Sequence, residues 1–334
     1  MLSRIFRPFA RSGAILCYHG IASGEIRSPI HHTVAELEAA VGVARDLGRI
    51  IPLTDFVRIH QSGRSTAGLF AITFDDAYLS VNTSAAFLRR EQVPVTVFAI
   101  SDALDEGRVF WWDRMGSLLD RLTPGQTAAL CDRWGIPGWF REQWSGPDFL
   151  PGWPLRQWIV ARYAGRWPAE LEETLREFEQ PANLATTDRS MTWAELSDFA
   201  EPGLVEIGVH TRSHPALPLL SIDEQREEIV GSYEVLRDHF PATSPILAAP
   251  FGFFNEDTVA VTRASGLQAC LGLGARTLRY GGSTGALPRF CMMHPQSRIR
   301  LGPRLSGVFD RIHAWQGQGD AVVPVLPTLV ESTK

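Results

Sequence analysis

Leu69-Phe70-Ala71-Ile72-Thr73-Phe74-Asp75-Asp76-Ala77-Tyr78 is the stretch on which the fold turns. Its first half is an apolar, β-branched run of strand length, and it ends abruptly in two carboxylates. Both acids therefore emerge at the C-terminal end of a buried strand, where parallel α/β folds collect their functional groups. Judged alone, adjacent acids at a strand end also suit a turn or a helix cap.

Outward from this point the same alternation repeats. Strand-like runs at Ala14–Tyr18, Pro94–Ile100, Leu204–Val209 and Ile246–Ala249, with shorter ones near Gln268–Leu271 and Leu287–Met292, are separated by segments of helical period such as Ile222–Phe240 and Glu256–Ala264. Thr33 with Glu36, Thr192 with Glu195 and Ser221 with Glu224 fit capping boxes, in which hydroxyl and carboxylate satisfy the backbone of a helix's first turn. Repeated βα units predict an α/β protein with a mostly parallel sheet. Residues 102–190 break the rhythm: they offer no convincing strand and carry eight of the ten tryptophans, so they read as a mainly helical insertion. Gly281–Gly285 reads as a flexible loop and residues 317–334 as a loosely held tail.

The 334 residues, 45% of them hydrophobic, suffice for one large barrel or two ordinary domains. A net charge of −5 lacks the basic footprint that nucleic acid requires. Cys17, Cys131, Cys270 and Cys291 show neither zinc-knuckle nor redox spacing and read as reduced thiols. The apolar stretch at Ala14–Tyr18 is too short for a signal-peptide core, which predicts a cytoplasmic protein, and no run reaches the roughly 20 apolar residues of a membrane span. Leu2, Ile5, Phe6 and Phe9 alternate with Arg4 and Arg7, ahead of Arg11. They suit either a short helix packed on the protein or a peripheral contact at a membrane surface.

A second cluster, His210-Thr211-Arg212-Ser213-His214, follows the strand run directly. Imidazoles four apart can converge on one point from a helical turn, although capping or surface roles fit the isolated pair as well. With one of the aspartates they would supply two nitrogens and an oxygen, leaving a metal open to water and substrate, while the other aspartate stays free to take a proton. The third segment, Ala248-Ala249-Pro250-Phe251-Gly252-Phe253-Phe254-Asn255, turns from a strand into a helix capped by Asn255. Such a turn can aim a backbone N–H at an oxyanion, or simply connect two elements.

In this order the three segments resemble the motifs of the polysaccharide deacetylases, the NodB-homology or carbohydrate esterase group: paired aspartates, His-Ser/Thr-x-x-His and Pro-Tyr-Gly, here with Phe251 for Tyr. Tyr18-His19-Gly20 resembles the Tyr-His of the family's first strand. The resemblance spans roughly residues 12–100 and 191–292. It implies a distorted (β/α)7-type barrel and a metal-dependent hydrolase that removes an acyl group, N- or O-acetyl, from a carbohydrate or glycoconjugate. It implies Asp75 as general base, Asp76, His210 and His214 as metal ligands, and the Phe251 N–H as oxyanion donor. The implied metal is a divalent cation, Zn before Co, Ni or Fe.

The chain also departs from the family. Ala77 replaces the usual Gly, which implies a backbone that suits a Cβ. Leu247-Ala248-Ala249 stands where an Arg normally orients the base, and Arg289 is the candidate to reach Asp75 from another strand. His294 fits the late general-acid motif poorly, and His19 is the alternative acid. Trp111 and Trp112, with His19 and Pro250, are the expected substrate contacts, the remaining tryptophans being core. The rival readings are a sugar- or lipid-binding protein on the same barrel and a non-haem iron oxygenase, whose usual β-sandwich and His-x-Asp spacing this chain lacks.

Overall fold

Four of the barrel strands, at Ala14–Tyr18, Leu69–Phe74, Val95–Ala99 and Ile246–Ala248, are mostly apolar runs buried along their whole length, as a sheet covered by helices requires. In the computed structural model, which describes residues 5–7, 10, 12–24, 26, 28–143, 153–169, 171–173, 189–201, 203–274, 278, 286–296 and 298–307, the strands are β1 (Ala14–Tyr18), β2 (Arg49–Ile50), β3 (Leu69–Phe74), β4 (Val95–Ala99), β5 (Val205–Val209), β6 (Ile246–Ala248), β7 (Ala269–Leu273) and β8 (Ala286–Cys291). All pair in parallel in the order β1-β8-β7-β6-β5-β4-β3, and β1 pairs with β3 along its whole length to close a seven-stranded barrel. The two-residue β2 pairs with the start of β3, whose end pairs with β4. The barrel is irregular because β5 and β6 share a single register pair, Val209 with Leu247.

The helices are α1 (Val34–Leu47), α2 (Leu53–Gln61), α3 (Ala85–Glu91), α4 (Trp111–Leu119), α5 (Pro124–Arg133), α6 (Gly138–Gln143), α7 (Trp153–Tyr163), α8 (Trp193–Phe199), α9 (Ile222–His239), α10 (Glu256–Ala264) and α11 (Arg298–Leu305). The expected capping boxes open α1, α8 and α9, and Asn255 with Thr258 opens α10.

Strand parity sorts the side chains into two layers. Leu16, Ile72, Val97, Val209 and Leu247 point outward and pack with α1, α3 and α9. Ile15, Ala71, Phe98, Ala248, Leu271 and Leu287 point inward and meet α2 through Leu53, Phe56 and Val57. A Cβ on Gly208 would lie 2.5 Å from the Phe98 ring, so the missing side chain makes room for that aromatic at the barrel's centre. Continuing the inward parity past the strand ends brings in His19, Asp75 and His210, and along β8 it brings in Arg289 and Cys291.

Helices α4 to α7 form a separate cluster around Met115, Leu118, Phe140, Leu155 and Ile159. Among the described residues, six tryptophans, 111, 134, 139, 153, 158 and 167, pack in it, whereas Trp112 packs against the barrel's outer core. The stretches 281–285 and 317–334 lie outside the described residues.

Candidate active site

Asp75 continues the β3 ladder by donating its backbone N–H to the Tyr18 carbonyl at 2.9 Å, which fixes its side chain inward. There Arg289 Nη1 donates to Oδ1 at 2.7 Å and Nη2 to Oδ2 at 2.8 Å, a bidentate fork in which the arginine is fully buried. Cys17 Sγ adds a contact to Oδ2 at 3.3 Å. Burial favours the neutral acid, but the guanidinium, and after it His210, holds the carboxyl well below the usual range. Arg289 in turn lies over the Phe98 ring, 5.3 Å from its centroid.

Asp76 takes a left-handed conformation, with φ of 65°, and so turns away from its neighbour. Ala77 follows at φ 48°. The expectation that this backbone suits a Cβ is therefore overturned: the conformation is one that glycine favours, and alanine holds it at a cost of about 1–2 kcal/mol. Asp76 Oδ1 stands 3.3 Å from His210 Nε2 and 3.5 Å from His214 Nε2, all three side chains being buried.

The histidine pair does not converge from a helical turn. Thr211 and His214 are both left-handed, at φ 65° and 64°, and the His214 N–H donates to Thr211 Oγ1 at 3.0 Å across a tight loop. His210 Nδ1 donates to the Ala248 carbonyl at 2.8 Å, which turns Nε2 toward Asp76. Burial pushes His214 down to about 3, so its ring stays neutral, as a ligand must.

The donor atoms of Asp76, His210 and His214 lie within 4.8 Å of one another, and Asp76 Oδ1 is buried without a hydrogen-bond partner. Two imidazole nitrogens and an unsatisfied carboxylate oxygen fit a divalent cation. Cys17, His19 and Asp75 form a second such group, but there the carboxylate is already held by Arg289.

The remaining predicted residues separate into two groups. Pro250 and Phe251 follow β6, and Phe251, at φ 57°, sets its ring against His214 with centroids 4.6 Å apart. Trp112 also lies 4.6 Å from His214, and its indole donates to Tyr78 Oη at 2.8 Å. His19 stands beside Asp75, with Nδ1 buried and lacking a hydrogen-bond partner. By contrast Trp111 joins the insertion's core and donates to the Gly165 carbonyl at 2.9 Å. His294 Nδ1 bonds Glu36 at 2.9 Å, and its backbone N–H is tied to the Pro29 carbonyl. The sequence reading missed Cys17 and Tyr78; strand parity would have found Cys17.

Comparison with known proteins agrees with this geometry. The polysaccharide deacetylase family model matches residues 155–270, a span holding both histidines and Pro250–Gly252 and starting after Asp75-Asp76. YxkH of Bacillus subtilis (strain 168), assigned to the polysaccharide deacetylases, is 27% identical over 117 residues, 35% of this chain and 38% of that protein. The chain thus spans well under half of this curated relative.

Among solved structures, a polysaccharide deacetylase from Bacillus cereus aligns with a TM-score of 0.56 at 13% identity, over 88% of this chain and 69% of that one. IcaB from Ammonifex degensii aligns at 0.54 and 15%, over 88% and 97%. At such identities the likeness is one of fold. Residues 155–270 thus match the polysaccharide deacetylase family model, and the chain resembles the curated relative, on a barrel whose fold is shared with these structures.

Proposed function

We propose that this chain is a metal-dependent hydrolase that removes an acyl group, N- or O-acetyl, from a carbohydrate or glycoconjugate. The observation that carries the reading is the convergence of Asp76, His210 and His214 beside a separately held Asp75. When bound by those three, a divalent cation, zinc before cobalt, nickel or iron, supplies Lewis acidity and eases ionisation of a water.

The protein's own groups do the rest. Asp75, kept ionised and aligned by Arg289, accepts the proton of the attacking water at a carboxylate oxygen. The turn at Pro250-Phe251 presents its backbone to the developing oxyanion. In this reading His19 protonates the leaving group, supported by its position beside Asp75 and its unpartnered ring nitrogen, whereas His294 is engaged by Glu36. Trp112 and Phe251 flank His214 and offer apolar faces to a sugar ring.

Arg289 fills the place of the family's missing arginine, which removes a motive for a binding-only reading, and a parallel barrel is not the sandwich of the iron oxygenases. Among the described residues no helix is long and apolar enough to cross a membrane. Reconstitution with each metal, followed by acetate or formate release from acylated amino sugars offered free, nucleotide-linked and lipid-linked, tests the proposal. A metal-loaded protein inert on all of them would count against it.

A further inference from the structure

The loop that carries both histidines is held from behind by a single carboxylate. Glu228, on α9 and 7% exposed, accepts the backbone N–H groups of Arg212 at 3.0 Å and Ser213 at 2.9 Å on one oxygen, and the Ser213 hydroxyl at 2.6 Å on the other. Ser232, one turn further along α9, donates its hydroxyl to the Thr211 carbonyl at 3.0 Å. Two left-handed non-glycine residues in one short loop persist only where the surroundings hold them, and this helix supplies that hold.

The same carboxylate is reached from the insertion. Arg166 Nη2 donates to Glu228 Oε1 at 3.2 Å. Arg166 belongs to a turn just after α7 that meets the site three times. The Ala164 carbonyl accepts the Ala216 N–H at 2.7 Å, two residues past His214. Gly165, at φ 77°, passes so close to Phe251 that a Cβ would lie 2.6 Å from its ring. Val160 of α7 packs with Ala216 and Phe253. The turn therefore touches the histidine loop, the Phe251 turn and the carboxylate that secures the histidines.

We propose that Glu228 is the positioning residue of the histidine loop, and that Arg166 couples the helical insertion to it, so that affinity for the metal depends on docking of residues 164–166. This rests on the reading of His210 and His214 as ligands. Groups that orient a metal's ligands are typically worth about 10–100-fold in affinity, whereas a half-exposed ion pair is worth about two- to fivefold.

Titrating the full chain with Co²⁺ against a competing chelator, alongside thermal melts, tests it. Glu228→Ala is expected to weaken Co²⁺ binding about 10–100-fold, Arg166→Ala about two- to fivefold, and Arg166→Lys to regain most of that loss. Glu228→Gln, which keeps size but cannot accept from all its donors, replaces the alanine variant if that does not fold, with a loss of at least about threefold expected by the same reasoning. His214→Ala calibrates the assay. If wild type takes up no Co²⁺, or His214→Ala binds as wild type does, the ligand assignment itself fails. If wild type binds, His214→Ala does not, and the folded Glu228 and Arg166 variants match wild-type affinity, the positioning proposal is overturned whatever happens to their melting temperatures.

Discussion

The guanidinium of Arg289, on the last barrel strand, grips both carboxylate oxygens of Asp75 at 2.7 and 2.8 Å, with neither side chain more than 5% exposed. The two are 214 positions apart in sequence, and their pairing is a product of barrel closure: β8 pairs with β1 and β1 pairs with β3.

Removing the arginine leaves an ionised carboxylate buried and unpaired. Arg289→Met is expected to lower stability by about 3–5 kcal/mol, measured by urea denaturation of the metal-free protein. Arg289→Lys, which restores the charge without the fork, is expected to recover part of that loss. With the guanidinium weakened, burial raises the Asp75 carboxyl, so the acid limb of the rate profile should move to higher pH in the lysine variant.

Asp75→Asn keeps the shape of the base but not its capacity to take a proton. Deacylation is expected to fall about 10²–10⁴-fold, while metal content by elemental analysis stays at the wild-type level. An unchanged rate would remove Asp75 from the role of base.

His210→Ala and His214→Ala should each reduce bound metal to background and abolish hydrolysis. The two rings play unequal parts: His210 is tied to the Ala248 carbonyl through Nδ1, whereas His214 Nδ1 is buried without a partner. His210→Ala therefore also frees a backbone carbonyl and should lower the melting temperature more than His214→Ala.

If His19 protonates the leaving group, His19→Gln should impair an amide, whose amine must be protonated to depart, far more than an activated aryl acetate, which leaves unaided. Comparable losses on the two substrates would assign the histidine to binding. His294→Gln, at a residue engaged by Glu36, should affect neither strongly.

Acid stability has a separate source at the start of α8. The Arg189 guanidinium bonds both oxygens of Glu195 at 2.8 and 2.7 Å and is the first cause of a carboxyl pulled down to about 2. Since the folded value lies below the ordinary one near about 4.3, this contribution is complete above that pH and is lost as pH falls through the folded value. Thermal melts of Arg189→Gln should lie below wild type at neutral pH and converge with it in acid.

The sequence by itself determined the alternation of strands and helices, the capping boxes and the three strand-end segments, because parity, apolar period and hydroxyl–carboxylate spacing are local properties of the chain. It also contained the parity that turns Asp75 and Arg289 inward. Only the tertiary structure decided which distant groups meet. Closure of the barrel sets Arg289 on Asp75 and lines up Cys17 with Cys291 across β1 and β8. The left-handed bends at Asp76, Ala77, Thr211 and His214 run against residue preference, and in the histidine loop hydrogen bonds from α9 hold them. His294 and Trp111 looked suitable by residue type, yet Glu36 and the insertion's own core hold them in other environments. Side-chain type is written residue by residue, whereas proximity across a closed sheet comes from every strand pairing at once.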